Sequence, residues 1–112
     1  MTCPKTPEIF TLDEKLWWSV LGDGTVSIVK FVGDDENVVI PSEIDGKKVT
    51  RIGEQAFLDC SSLTSINIPE SVKNIYHSAF RDCTSLASIN LPDGVKIGKN
   101  TFYGTPLEYK YK

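Results

Sequence analysis

The chain has 112 residues, with 12 Lys and Arg against 15 Asp and Glu, for a formal net charge of −3. That length makes one small domain, and 40% hydrophobic against 24% charged residues excludes wholesale disorder. No apolar run approaches the roughly 20 residues of a membrane helix, and the acidic balance argues against a phosphate-backbone partner, so neither membrane insertion nor nucleic-acid binding is expected.

The charge is uneven. Residues 1–50 hold five Lys/Arg and nine Asp/Glu, net −4, and residues 51–112 hold seven and six, net +1. Asp34-Asp35-Glu36 and the lysines at 96, 99, 110 and 112 read as solvated loop and tail. The first residues, Met1 to Pro7, contain no apolar core of a signal peptide, so the chain as given is expected to carry none. The expected organisation is a single domain over 1–112: a frayed segment at 1–14, a β-hairpin cap at 15–37, repeats over 38–107 and a tail at 108–112.

Lys15 to Leu21 and Thr25 to Val32 read as the two arms of the hairpin, joined by Gly22-Asp23-Gly24, where glycine supplies positive φ. Trp17, Trp18 and Phe31 suit a unit that covers the open end of a repetitive core. Strand alternation places one Trp of the pair inward and the other outward.

An internal period dominates the rest. Ile52 to Pro69 aligns with Ile75 to Pro92 at a constant offset of 23, with Ala-Phe, Asp-Cys, Ser-Leu, Ser-Ile-Asn and Pro coinciding. A truncated third copy runs from Ile97 to Leu107, with Phe80 to Phe102 at 22. Upstream, Val39-Ile40-Pro41 matches Asn67-Ile68-Pro69, and five extra residues fall within Ser42 to Lys48, around a turn at Asp45-Gly46. Each unit is then one coil of a solenoid whose inward positions are buried only by its neighbours. Ser65-Ile66-Asn67-Ile68 is a half-buried strand with Ile66 and Ile68 inward, and Pro69 ends it. Val72 and Ile75 mark a second short extended edge, and Ala56-Phe57, Cys60 and Leu63 fill the return path as a helical or 3₁₀ turn.

These residues resemble the BspA-like leucine-rich repeats, a bacterial variety found also in some protists. The resemblance is carried by Ile68-Pro69, Ser71-Val72, Ile75, Ala79-Phe80, Cys83, Ser85-Leu86, Ile89 and Leu91-Pro92. Two departures are Tyr76 where Gly53 and Gly98 stand, and Asp93-Gly94 in place of Glu70-Ser71. The resemblance implies a short leucine-rich-repeat solenoid, mostly β, with short helical or 3₁₀ turns and an N-terminal β-hairpin cap. It also implies a bacterial surface or secreted setting, and in some relatives a link to adhesion.

The chemistry-bearing residues are few. Of three cysteines, Cys60 and Cys83 occupy equal places on neighbouring coils, within disulfide reach by strand spacing, yet an inward slot favours core thiols. Two Cys and one His on separate coils, without C-x₂-C spacing, make a poor zinc site, and no metal or cofactor is expected. His77 is the one histidine, in a column with Glu54 and Lys99, and no nucleophile shares its turn. Asp59 and Asp82 recur one coil apart and are expected to serve their own turns. An enzyme would require Asp59, Asp82 and His77 to converge, and no catalytic residue is assigned.

The candidate contact residues are Trp17, Trp18, Asn67, Asn90, His77, Arg81 and Tyr103. Asn67 and Asn90 form an outward polar pair on the strand face, while His77, Arg81 and Tyr103 belong to outward columns whose residue types dominate interfaces. The expected role is a non-catalytic interaction module with a protein or glycan partner. The alternative is a unit that self-associates, as a homodimer, through an open solenoid edge. Tyr103, Tyr109 and Tyr111 either cover the last coil or leave that edge open.

Overall fold

The computed structural model describes residues 10–12, 15–108 and 110. Cys3, Tyr109 and Tyr111 lie outside the described residues.

Strand β1 (Phe10–Leu12) pairs antiparallel with β2 (Leu16–Val20), which pairs antiparallel with β3 (Val26–Phe31). The hairpin is where the sequence puts it, and β1 adds a strand inside the segment expected to fray. Its turn is closed by Leu21 N–H donating to Thr25 O at 2.7 Å and Gly24 N–H to Leu21 O at 2.9 Å, with Gly24 at φ 85°. A bulge on β3 lets Trp17 face Lys30 while Trp18 faces Ile28. Trp18 is buried and Trp17 half-buried.

The chain then coils. Strands β4 (Asn37–Val39), β5 (Glu43–Ile44), β6 (Lys47–Ile52), β7 (Ser65–Asn67), β8 (Asn74–Ile75), β9 (Ser88–Asn90) and β10 (Lys96–Ile97) follow in order. They form two parallel stacks. One runs β3-β6-β8-β10, extended through β3 to β2 and β1, and the other runs β4-β7-β9. In the first, Ile52 pairs Ile75, which pairs Ile97, and in the second Ser65, Ile66 and Asn67 pair Ser88, Ile89 and Asn90. The offset of 23 in the sequence is thus one layer of the stack. The extra residues before the first full repeat form a small hairpin, β5 against β6, whose two-residue turn has Asp45 at φ 54° and Gly46 at φ 76°. Both central residues left-handed is the turn that matches strand twist.

The core is a set of apolar columns. Val49 and Val72, Ile52 and Ile75, Leu63 and Leu86, and Ile40 and Ile68 are all buried, one above the other. The central column is aromatic: Phe31, Phe57, Phe80 and Phe102 stack with centroids 5.4, 5.1 and 5.7 Å apart. Phe31 is a true member. Its N–H donates to Ala56 O, as that of Phe57 donates to Ala79 O and that of Phe80 to Thr101 O. The cap is therefore a degenerate first coil that shares the core, and not a lid laid over it.

Of the two forms the sequence offers for the return path, a helical or a 3₁₀ turn, the structure takes the tighter one. It carries i→i−3 hydrogen bonds, such as Ala56 N to Gly53 O and Cys60 N to Phe57 O, as a 3₁₀ turn would. No helix forms among the described residues, because a left-handed residue interrupts each turn: Gln55, Ser78 and Asn100 at φ 60°, 59° and 57°, then Asp59, Asp82 and Gly104 at 61°, 61° and 80°. At the second interruption the amide bonds outward to the next coil, Asp59 N–H to Arg81 O and Asp82 N–H to Tyr103 O. The aspartates recur because short polar side chains tolerate this backbone.

The far end is closed by Leu107, which is buried, and by Thr105, whose hydroxyl donates to Phe102 O at 2.7 Å and accepts from Leu107 N–H at 3.1 Å. Tyr103 is no cover: it is 49% exposed.

Candidate functional site

The coil presents three flanks: the β6-β8-β10 strands, the turn segments, and the β4-β7-β9 strands. The candidate contact residues separate onto two of them and the cap.

On the β4-β7-β9 flank the outward residues stack as Asn37, Ser65 and Ser88, then Val39, Asn67 and Asn90. Ser65 hydroxyl bonds Asn37 Oδ1. Asn67 is exposed, whereas the Asn90 amide is engaged: its Nδ2 donates to Ile68 O at 3.1 Å and its Oδ1 accepts from Ile68 N–H at 3.0 Å. Asn90 thus stands in for a strand residue beside Ile68. Val39 heads this column at 70% exposure, an apolar contact point that lay hidden in the sequence because its repeat counterparts are Asn.

On the turn flank, His77 and Glu54 meet across neighbouring coils at 3.3 Å, a contact that carries charge only when His77 is protonated. Four residues on, the Arg81 guanidinium lies over the Tyr103 ring at 5.2 Å from its centroid, and Arg81 Nε is 3.6 Å from Asp82 Oδ2. A second such pair, Arg51 over Tyr76 at 5.8 Å, was not singled out from the sequence. The signal was available: in both, an Arg precedes by about one coil a Tyr in an outward column. Glu54, Asn74, Tyr76, His77 and Lys96 edge an open depression of about 490 Å³ beside these residues.

In the cap, Trp18 is buried in the core cluster and so withdrawn from contact, and only Trp17 of the pair reaches the surface. Asp23, in the hairpin turn, accepts from the Thr25 hydroxyl at 2.6 Å and the Thr25 amide at 3.0 Å, and these bonds hold its carboxyl below the usual aspartate range.

Among the described residues the two thiols, Cys60 and Cys83, are free. Cys83 is fully buried and donates to Phe57 O at 2.9 Å, while Cys60 is half-buried. Contact with the Cys83 side chain holds the Cys60 thiol below its ordinary range, and the same contact, with burial, pushes Cys83 up. Cys60 opens with Lys30, Asp35 and Asp59 onto a depression of about 290 Å³.

The three groups an enzyme would need do not share a cavity: Asp59 lines this last depression, His77 lines that beside Tyr76, and Asp82 lines neither. Among the described residues, no group of three or more His, Cys, Asp or Glu side chains assembles as a metal site. No helix among them is long and apolar enough to cross a membrane.

Stacked parallel coils with these columns have known counterparts. The sequence model of the BspA type leucine rich repeat region (6 copies) matches residues 36–110. The chain belongs to the BspA-type leucine-rich-repeat family. Among solved members, it is similar to the T. pallidum leucine rich repeat protein, with 35% identity and TM-score 0.79 over 84% of this chain and 45% of that one. A leucine rich cell surface protein of Faecalibacterium prausnitzii is 30% identical, with TM-score 0.78 over 89% of this chain and 29% of that one. A leucine-rich repeat protein of Bacteroides ovatus is 34% identical, with TM-score 0.75 over 85% and 27%. This BspA-type array therefore spans less than half the length of these relatives. No curated protein sequence matches it.

Proposed function

We propose that this chain is a non-catalytic protein-binding module that engages its partner through the turn flank carrying His77, Arg81 and Tyr103. The observation that carries the reading is Tyr103, an aromatic ring 49% exposed and held by Arg81 above it. Tyr and Arg are the side chains that dominate interface energetics, and a ring already oriented loses little entropy on docking. His77 and Glu54 beside it add a polar rim. The Faecalibacterium relative is a cell surface protein, which supports a surface setting for such binding.

The test is a binding screen of the whole chain against arrays of proteins and glycans, repeated with Tyr103→Ala, Arg81→Ala and His77→Ala, and with Lys48→Ala as the distant control. A protein partner whose affinity falls roughly tenfold or more with Tyr103→Ala and is unchanged by Lys48→Ala supports the proposal. Affinity indifferent to all three changes overturns the choice of flank, and a ligand found only among glycans overturns the choice of partner.

A second reading is self-association. It is favoured by β9 and β10, each of which is paired on one side only among the described residues. Sedimentation velocity across a concentration series decides it, and a monomer at every concentration removes it.

A further inference from the structure

We propose that Cys60 and Cys83 are a disulfide-exchange pair, in which Cys60 takes a small disulfide from solvent and Cys83 resolves it into a covalent bond between neighbouring coils. The two residues have the division of labour such a pair needs. Cys60 is half-buried and opens onto the depression of about 290 Å³ beside Lys30 and Asp35. Cys83 is wholly buried, beyond the reach of a solvent disulfide. Their positions converge on one oxygen: the Cys83 thiol donates to Phe57 O at 2.9 Å and the Cys60 backbone N–H to the same atom at 3.2 Å. The coils are held at strand-like spacing on either side of them, by Asp59 N–H to Arg81 O at 2.9 Å before the pair and Ala87 N–H to Thr64 O at 3.0 Å after it. Such spacing, about 4.8 Å, lies within the range of Cα separations that a disulfide spans.

Electrostatics favours Cys60 as the attacking group. The Cys83 side chain beside it and then the positive charge of Lys30 favour its thiolate, against burial and Asp59. The steps balance. The Cys60 sulfur, its proton released to solvent, attacks one sulfur of a dialkyl disulfide. That S–S bond breaks, and one thiolate leaves with the electron pair and takes up a proton. Cys83 then loses its proton, attacks the Cys60 sulfur and expels the second thiolate, which is protonated in turn. Two cysteine thiols are oxidised by two electrons, and one small disulfide is reduced to two thiols.

The experiment uses the full chain with Cys3→Ser, reduced, desalted and exposed at neutral pH to oxidised glutathione, with intact mass, peptide mapping and circular dichroism as readouts. The expected result is loss of two hydrogens, a Cys60–Cys83 cross-linked peptide, an unchanged fold, and full reversal by dithiothreitol. Adding Cys83→Ala stalls the reaction, leaving one glutathione on Cys60. Adding Cys60→Ser leaves Cys83 unmodified while the chain is folded. The proposal is overturned by a persistent glutathione adduct on Cys60 with Cys83 free in the Cys3→Ser chain, by links formed only between chains, or by thiols that react only after unfolding.

Discussion

The ring of Phe57 lies on the ring of Phe80, with centroids 5.1 Å apart and planes 23° from parallel. Both are fully buried. Each coil contributes one such ring, and no coil could bury it alone. Phe80 has an aromatic neighbour on each side. Phe80→Ala is expected to cost about 3–5 kcal/mol. Urea denaturation followed by tryptophan fluorescence measures it, and a cost under about 1 kcal/mol would deny that the ring is a packed member of the column.

Gly98 marks a close approach between coils. A Cβ there would lie 2.6 Å from the His77 nitrogen and 3.0 Å from the Tyr76 carbonyl carbon. Gly98→Ala must therefore push the third coil off the second, at about 1–3 kcal/mol. The equivalent slot one coil earlier holds Tyr76, whose own lower neighbour is Gly53. Thermal unfolding of Gly98→Ala beside a surface Ala change such as Lys99→Ala separates crowding from composition, and a neutral Gly98→Ala would contradict the packing.

Asn90 is expected to matter more for the fold than for contact. Asn90→Ala leaves both the N–H and the C=O of Ile68 without their present partner, which costs about 1 kcal/mol. Asn90→Asp keeps an acceptor and loses the donor, so it falls between. Asn67→Ala, on the same column with no such side-chain bond among the described contacts, should be close to neutral. Chemical denaturation of the three variants tests the order.

Acidification should release the hairpin turn late. The folded carboxyl of Asp23 sits below its ordinary value of 3.8, held there first by the Thr25 hydroxyl and then by its amide. Because its folded value is depressed, its contribution is present above the unfolded value and is lost as pH falls through the folded one. The Thr25 amide resonance is expected to titrate with a midpoint under 3.8. Asp23→Asn should remove the transition, and a midpoint at or above the ordinary value would contradict the geometry.

The layers of the stack were legible because repetition survives in sequence. Ala-Phe, Ser-Leu and Ser-Ile-Asn recur at one spacing, and Asp45-Gly46 names its own turn. Phe31 was not legible as a column member: it lies 26 positions before Phe57 and lacks a preceding Ala, and only the hydrogen bond to Ala56 O reveals it. The turns read as helical or 3₁₀ because i→i−3 bonding and helical spacing look alike over four residues. What separates them is the sign of φ at Gln55 and Asp59. The contact residues were the least legible. Whether Trp17 or Trp18 turns inward depends on a bulge in the partner strand, and whether an Asn faces solvent or completes a ladder depends on the coil beside it.

The amides of Asp59 and Asp82 reach the next coil in the same way, and at the last coil Gly104 N–H meets Glu108 Oε1 instead, at 3.3 Å. Every interior layer is consequently interchangeable with its neighbour. Excising residues 57–79 would splice Ala56 directly onto Phe80 with each vertical file of side chains intact. Lengthening or shortening such a chain therefore needs only recombination in whole units, with both finishing pieces reused unchanged.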